Sequence, residues 1–232
     1  MTDQGLRELE ARFRASGSAG DEVAWLCAQF RAGVLSQDRI RLGVYLEDPG
    51  AEAAARALGT PALRFLPPAD VPTWVHALPG FWGGDLVDED WDWLLQVYHR
   101  VGAALVRGVC LCFPEGPRQE QALVVSKGME RWIVTRFDQE RDQALEHLHE
   151  LQQEAAPRGL LRVFRRRTGR LLSALGQASM TLAFPTIHIN AGHEQAASFL
   201  ANERSPEWVR ELVREDLLPW AMGRSDPIAA RG

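Results

Sequence analysis

The sequence predicts an all-α fold, a multi-helix bundle or HEAT-like stacked helical hairpins, with about nine or ten helices. Three observations carry that expectation. Apolar residues recur every three or four positions along most of the chain, the period of a helix with one buried face. Start and stop signals bracket these stretches, with Ser36, Asp48-Pro49 and Ser205-Pro206 at starts and Gly59 at an end. No stretch between turn residues shows the apolar/polar alternation of a half-buried strand.

Taken in order, DEVAWLCAQFRAGVL places Val23, Leu26, Cys27, Phe30 and Val34 on one helix face. Ser36 is the expected N-cap of QDRIRLGVYLE, with Ile40, Val44 and Leu42 inward. The next helix opens at Asp48, whose carboxylate can accept from first-turn amides, and Pro49 follows where no amide donor is lost. Residues 61–87 are dense in proline and glycine yet carry Trp74, Phe81 and Trp82, and predict a packed irregular connection. Core burial is the primary reading of its aromatics, Trp74 and Trp82 among them, with a role as interface anchors the alternative.

From Asp88 helices return. Trp91, Leu94, Leu95, Tyr98, Val101, Leu105, Val109 and Cys112 form one stripe, with acidic residues in the first turn where the helix dipole favours them. Further helices are expected near 119–133, 138–155, 158–178, 190–203 and 206–222. The implied organisation is an N-terminal helical unit (1–60), the connection (61–87) and a C-terminal helical domain (88–232), or one continuous domain.

YLEDPGAEAAARALG resembles the inter-helix turn of HEAT-type repeats, in which an Asp-Pro pair opens the second helix and small residues let it pack closely. Together with RVGAALVRGVCLCFPEGPRQEQALVVSKGMERWI and WVRELVREDLLPWAMGRSDP, it resembles a group of uncharacterised all-helical bacterial proteins. That resemblance implies architecture only and brings no catalytic residues.

Composition limits the function classes. A net charge of −5 and a pI near 5.7 give no overall drive toward nucleic acid or anionic lipid. Cys27, Cys110 and Cys112 cannot all pair, so the expected compartment is the reducing cytoplasm. MTDQGLRELE lacks the basic and apolar regions of a signal peptide, and Arg100 and Arg107 interrupt the most apolar long stretch, so no membrane segment is expected. No nucleophile elbow, phosphate-cradling glycine loop or metal-binding spacing is present, and neither cofactor nor metal is expected.

Two patterns remain. Asp138, Asp142, Glu146, Glu150 and Glu154 recur every four residues, and then so do Arg158, Arg162, Arg166 and Arg170, with Arg165 and Arg167 beside them. A four-residue repeat gives a slanting charged edge on a helix. The primary reading is an interhelical charge zipper or a solvated face; the alternative is a phosphate or nucleic-acid surface along Arg158–Arg170. The second pattern is FPTIHINAGHE, where Asn190 is the expected N-cap and His188, His193 and Glu194 are the candidate acid, base or ligand set of an enzyme. His147 and His149 stand two residues apart on a helix and cannot chelate one metal together. The leading expectation is a non-enzymatic helical protein-interaction module, such as a regulator, inhibitor, immunity-type or scaffold protein. Nucleic-acid binding and an enzyme are the alternatives.

Overall fold

The computed structural model describes residues 3–60, 70–78, 91–154, 162–183 and 189–231; at 91–94, 154, 162–166 and 189–191 it describes the backbone alone. Among the described residues the chain forms twelve helices and no strand. They are α1 (Asp3–Ser16), α2 (Ala19–Arg31), α3 (Gln37–Tyr45), α4 (Pro49–Ala57), α5 (Val71–Ala77), α6 (Trp91–Leu111), α7 (Pro117–Thr135), α8 (Asp138–Glu154), α9 (Arg162–Ala183), α10 (Ile189–Glu203), α11 (Pro206–Ala221) and α12 (Pro227–Arg231). The all-α class stands. None of these helices is long and apolar enough to cross a membrane.

Three helices exceed the expected set. α1 is weakly apolar, and its Leu6, Leu9 and Phe13 are only half-buried. α12 is too short for a period to register. α5 corrects the reading of 61–87 as wholly irregular: Asp70 caps it by accepting from the Thr73 amide at 2.9 Å, and Pro72 lies in the first turn, where a missing donor is harmless.

The chain divides into two units. The first comprises residues 1–67, 81–83 and 218–225; the second comprises 68–80, 84–217 and 226–232. A reading along the chain has no signal for a segment that returns from far downstream.

In the first unit α1 to α4 enclose Trp25, Leu26, Ile40, Ala51, Ala54 and Met222. Gly43 permits that packing, since a Cβ there would overlap the Met222 sulfur and the Ala51 methyl. Asp48 caps α4 as expected, accepting from the Ala51 amide at 2.7 Å. The same carboxylate takes both terminal nitrogens of Arg224, at 2.8 and 2.9 Å, and Glu22 adds a third contact at 2.6 Å. Arg39 closes the unit by donating to the carbonyls of Trp220 and Ala221.

In the second unit α6 is the central element, buried along Val97, Tyr98, Val101, Leu105 and Val109 and flanked by α7, α9 and α10. Glycine again allows close approach: a Cβ on Gly108 would strike Leu200 and Leu212, and one on Gly128 would strike Ala144. Buried charge is paired. Arg100 forms a two-pronged bridge to Asp226, both contacts 2.7 Å. Asp216 accepts from Arg107 at 3.1 Å and Arg231 at 2.8 Å, while Glu130 accepts from Arg231 at 3.0 Å. Burial raises the Glu130 carboxyl above its ordinary range, against the lowering pull of Arg231.

Candidate functional site

Of the residues that looked most like chemistry, His193 and Glu194 are turned apart by the helix that carries them. His188 lies outside the described residues. α10 begins at Ile189, so Asn190 is inside the helix rather than its cap, a correction that leaves FPTIHINAGHE as a helix start. Consecutive residues on a helix point about 100° apart. His193 therefore turns into the core while Glu194 turns outward. The His193 ring stacks on Tyr98 with centroids 4.2 Å apart and lies against Gly102, where a Cβ would meet its Nε2. Burial, reinforced by His99, pushes His193 down to about 3, so it is neutral and enclosed. Glu194 instead meets Nδ1 of the exposed His76 at 2.5 Å. His188, His193 and Glu194 are thus not shown as one constellation. The His76 partner is 118 positions away in sequence, and no local pattern signals it.

Trp74 is fully buried, and the Arg210 guanidinium lies 5.2 Å over its ring, which removes it as an interface anchor. Trp82 and Arg158 lie outside the described residues. Arg162, Arg165 and Arg166 are in α9, with their side chains outside the description. Arg167 and Arg170 are exposed and reach Glu203 of α10, at 3.4 and 4.0 Å. Neither of these two arginines pairs with the acidic row of α8 among the described residues. His147 and His149 are exposed on α8, and no cluster of three or more metal-ligating side chains occurs among the described residues.

What the second unit does present is the corner between α7 and α8. Arg136 ends α7 with φ of 59°, the left-handed region that a residue with a Cβ adopts at a cost of about 1 kcal/mol. Its amide donates to the Trp132 carbonyl at 2.8 Å, and its guanidinium reaches Nδ1 of buried His99 at 2.8 Å, although the residue as a whole is exposed. A guanidinium only donates, so His99 Nδ1 accepts and its proton resides on Nε2. Burial, with Arg136 adding to it, holds His99 down to about 3. Trp132 meets the His99 ring edge-on at 5.0 Å. The corner is thereby tied to α6.

The tie has an outward consequence. Phe137, the next residue, is 69 % exposed, and Val134 one turn earlier is 44 % exposed. The Phe137 amide donates to Thr135 Oγ1, and its carbonyl accepts from the Glu140 amide at 2.9 Å. A large apolar side chain is held at the surface by a backbone bonded on both sides. From it runs the exposed row Asp138, Asp142, Glu146 and Glu150. Beside that row a groove of about 500 Å³ lies between α8 and α9.

No family model, curated protein or solved structure matches this chain.

Proposed function

We propose that the chain is a non-enzymatic helical protein-interaction module whose contact surface is centred on the α7–α8 corner. The observation that carries this is the exposure of Phe137 beside a residue held in the left-handed region and bonded to the buried His99. A rigid aromatic loses little conformational freedom on binding, and such anchors dominate interface energetics. The proposed lineage, a divergent member of an uncharacterised all-helical bacterial group, bears on architecture alone and adds no chemistry to this reading. The separation of His193 from Glu194 supports the same reading over an enzyme. The shared pairing of Arg167 and Arg170 with Glu203 offsets part of the positive charge of these two arginines.

Crosslinking the full chain in its native host, identifying the partner and repeating binding with purified proteins tests the proposal. Phe137→Ala is expected to weaken that binding about tenfold or more with an unchanged circular dichroism spectrum. Unchanged affinity for every identified partner overturns it.

A further inference from the structure

α12 is held by charge more than by packing. It has five residues, well short of the dozen or so that an isolated helix needs, and Ile228 is its one fully buried side chain. At its start Asp226 accepts from the Ile228 and Ala229 amides and from Arg100. At its end Arg231 turns inward, with Nη2 donating to Glu130 Oε1 at 3.0 Å and Nη1 to Asp216 Oδ1 at 2.8 Å.

What Arg231 enters is a pocket of opposite charge within the second unit. Glu130 of α7 and Asp216 of α11 are both buried. Among the described residues the other cation bonded to Asp216 is Arg107 of α6, and Arg107 is shared with the exposed Glu215. Without a guanidinium in the pocket, two buried carboxylates would face one shared arginine, and uncompensated charge is costly when buried.

The native side chain fills this pocket incompletely. Asp216 Oδ2 is buried and accepts no hydrogen bond among the described residues. A guanidinium fork can take both oxygens of one carboxylate, as Arg100 does at Asp226. The Arg231 side chain is also 32 % exposed, so the pocket opens to solvent along its stem. A guanidinium presented from outside meets the same two carboxylates, with Oδ2 as a further acceptor, once the short α12 lifts. We infer that Glu130 and Asp216 form an arginine-binding pocket, filled in cis by Arg231, which an arginine side chain of a partner protein takes by displacing α12. The pocket adds a second site to the protein-binding reading and shares no residue with the α7–α8 corner.

Two fluorescein-labelled peptides of residues 225–232, SDPIAARG with its native arginine or with lysine in that place, test this by anisotropy with the full chain. Arg231→Ala removes the side chain that fills the pocket, and this variant is expected to bind the arginine peptide about tenfold more tightly than wild type, whose own α12 competes. It is expected to bind the lysine peptide about tenfold more weakly than the arginine peptide, because an ammonium lacks the planar fork. Adding Glu130→Gln to Arg231→Ala is expected to weaken the arginine peptide about tenfold, and adding Phe137→Ala to leave its affinity unchanged. In the isotope-labelled wild-type chain, excess arginine peptide is expected to speed hydrogen exchange of the α12 amides, followed by NMR. No binding by a folded Arg231→Ala chain, equal affinity for the two peptides, or indifference to Glu130→Gln overturns the assignment. So does loss of peptide binding on adding Phe137→Ala, which would put the peptide on the corner. So does wild-type α12 exchange that the arginine peptide leaves unchanged, a result that needs no variant to fold, because Arg231 is then a fixed pairing of the fold.

Discussion

Two helix corners of this protein use the same backbone device for opposite ends. Glu47 at the α3–α4 corner and Arg136 at the α7–α8 corner have φ of 61° and 59°, and they are the non-glycine residues at positive φ among those described. After Glu47 comes Asp48, buried, capping α4 and holding Arg224. After Arg136 comes Phe137, which touches solvent over most of its surface. Both strained residues are exposed, and at the first corner the successor locks the fold. At the second the strained residue is the lock and its successor is freed for use. A left-handed residue is therefore no sign of function by itself; where the adjacent side chains go decides it.

The largest expected effect breaks the closed corner. Asp48→Ala removes a helix cap and leaves the half-buried Arg224 with one carboxylate instead of two, a loss of about 3 kcal/mol. Native-state hydrogen exchange of the α4 amides should show it, and protection unchanged from wild type would mean that Asp48 is not the lock.

Acid should act on the open corner's anchor. His99 and His193 have folded values near 3 against an ordinary 6.5. Between those values the unfolded chain binds protons that the native chain does not, so stability is complete above about pH 6.5 and is lost as pH falls toward 3. The expected loss between pH 7 and pH 5 is about 2 kcal/mol for each imidazole. Urea titrations at the two pH values, followed through α6 and α10 amides, check it, and His193→Phe should remove about half of the dependence. An equally steep dependence in that variant would place the titration elsewhere.

A smaller effect separates strain from anchoring at Arg136. Arg136→Ala loses the His99 contact and keeps the strained backbone, whereas Arg136→Gly loses the contact and relieves the strain. Glycine should be the more stable of the two by about 1 kcal/mol in denaturant titrations. Equal stability would mean that φ carries no penalty here. The smallest effect on stability is expected at Phe137: Phe137→Ala should shift unfolding by less than about 0.5 kcal/mol, since most of the ring is already in water. A large shift would assign Phe137 to the fold and remove it as an anchor.

Much of the helical punctuation was legible because its causes are local. Ser36, Asp48 and Ser205 accept from amides three residues on, and Pro49 and Pro206 begin helices. The acidic row of α8 was legible as a row, since a four-residue repeat on a helix has only one geometric meaning. Its partner was not. The row faces outward, and Arg167 and Arg170, the arginines whose side chains are described, turn to Glu203. The candidate site was less legible still. His193 and Glu194 are neighbours in sequence and look like one unit, yet the helix sends one to Tyr98 and the other to His76.

The sequence alone determined the class, most helix positions and their caps, because backbone amides near a helix end are satisfied within a few residues. The tertiary structure decided which polar groups are buried and which face solvent. Arg100 reaches Asp226 across 126 positions, Arg231 reaches Glu130 across 101, and Arg136 reaches His99 across 37. Such pairings depend on how helices cross, and crossing angles are set by side-chain packing at distant positions such as Gly102, Gly108 and Gly128. Phe137 reads as one more apolar residue between two helices. Only the fold shows that it stays largely exposed.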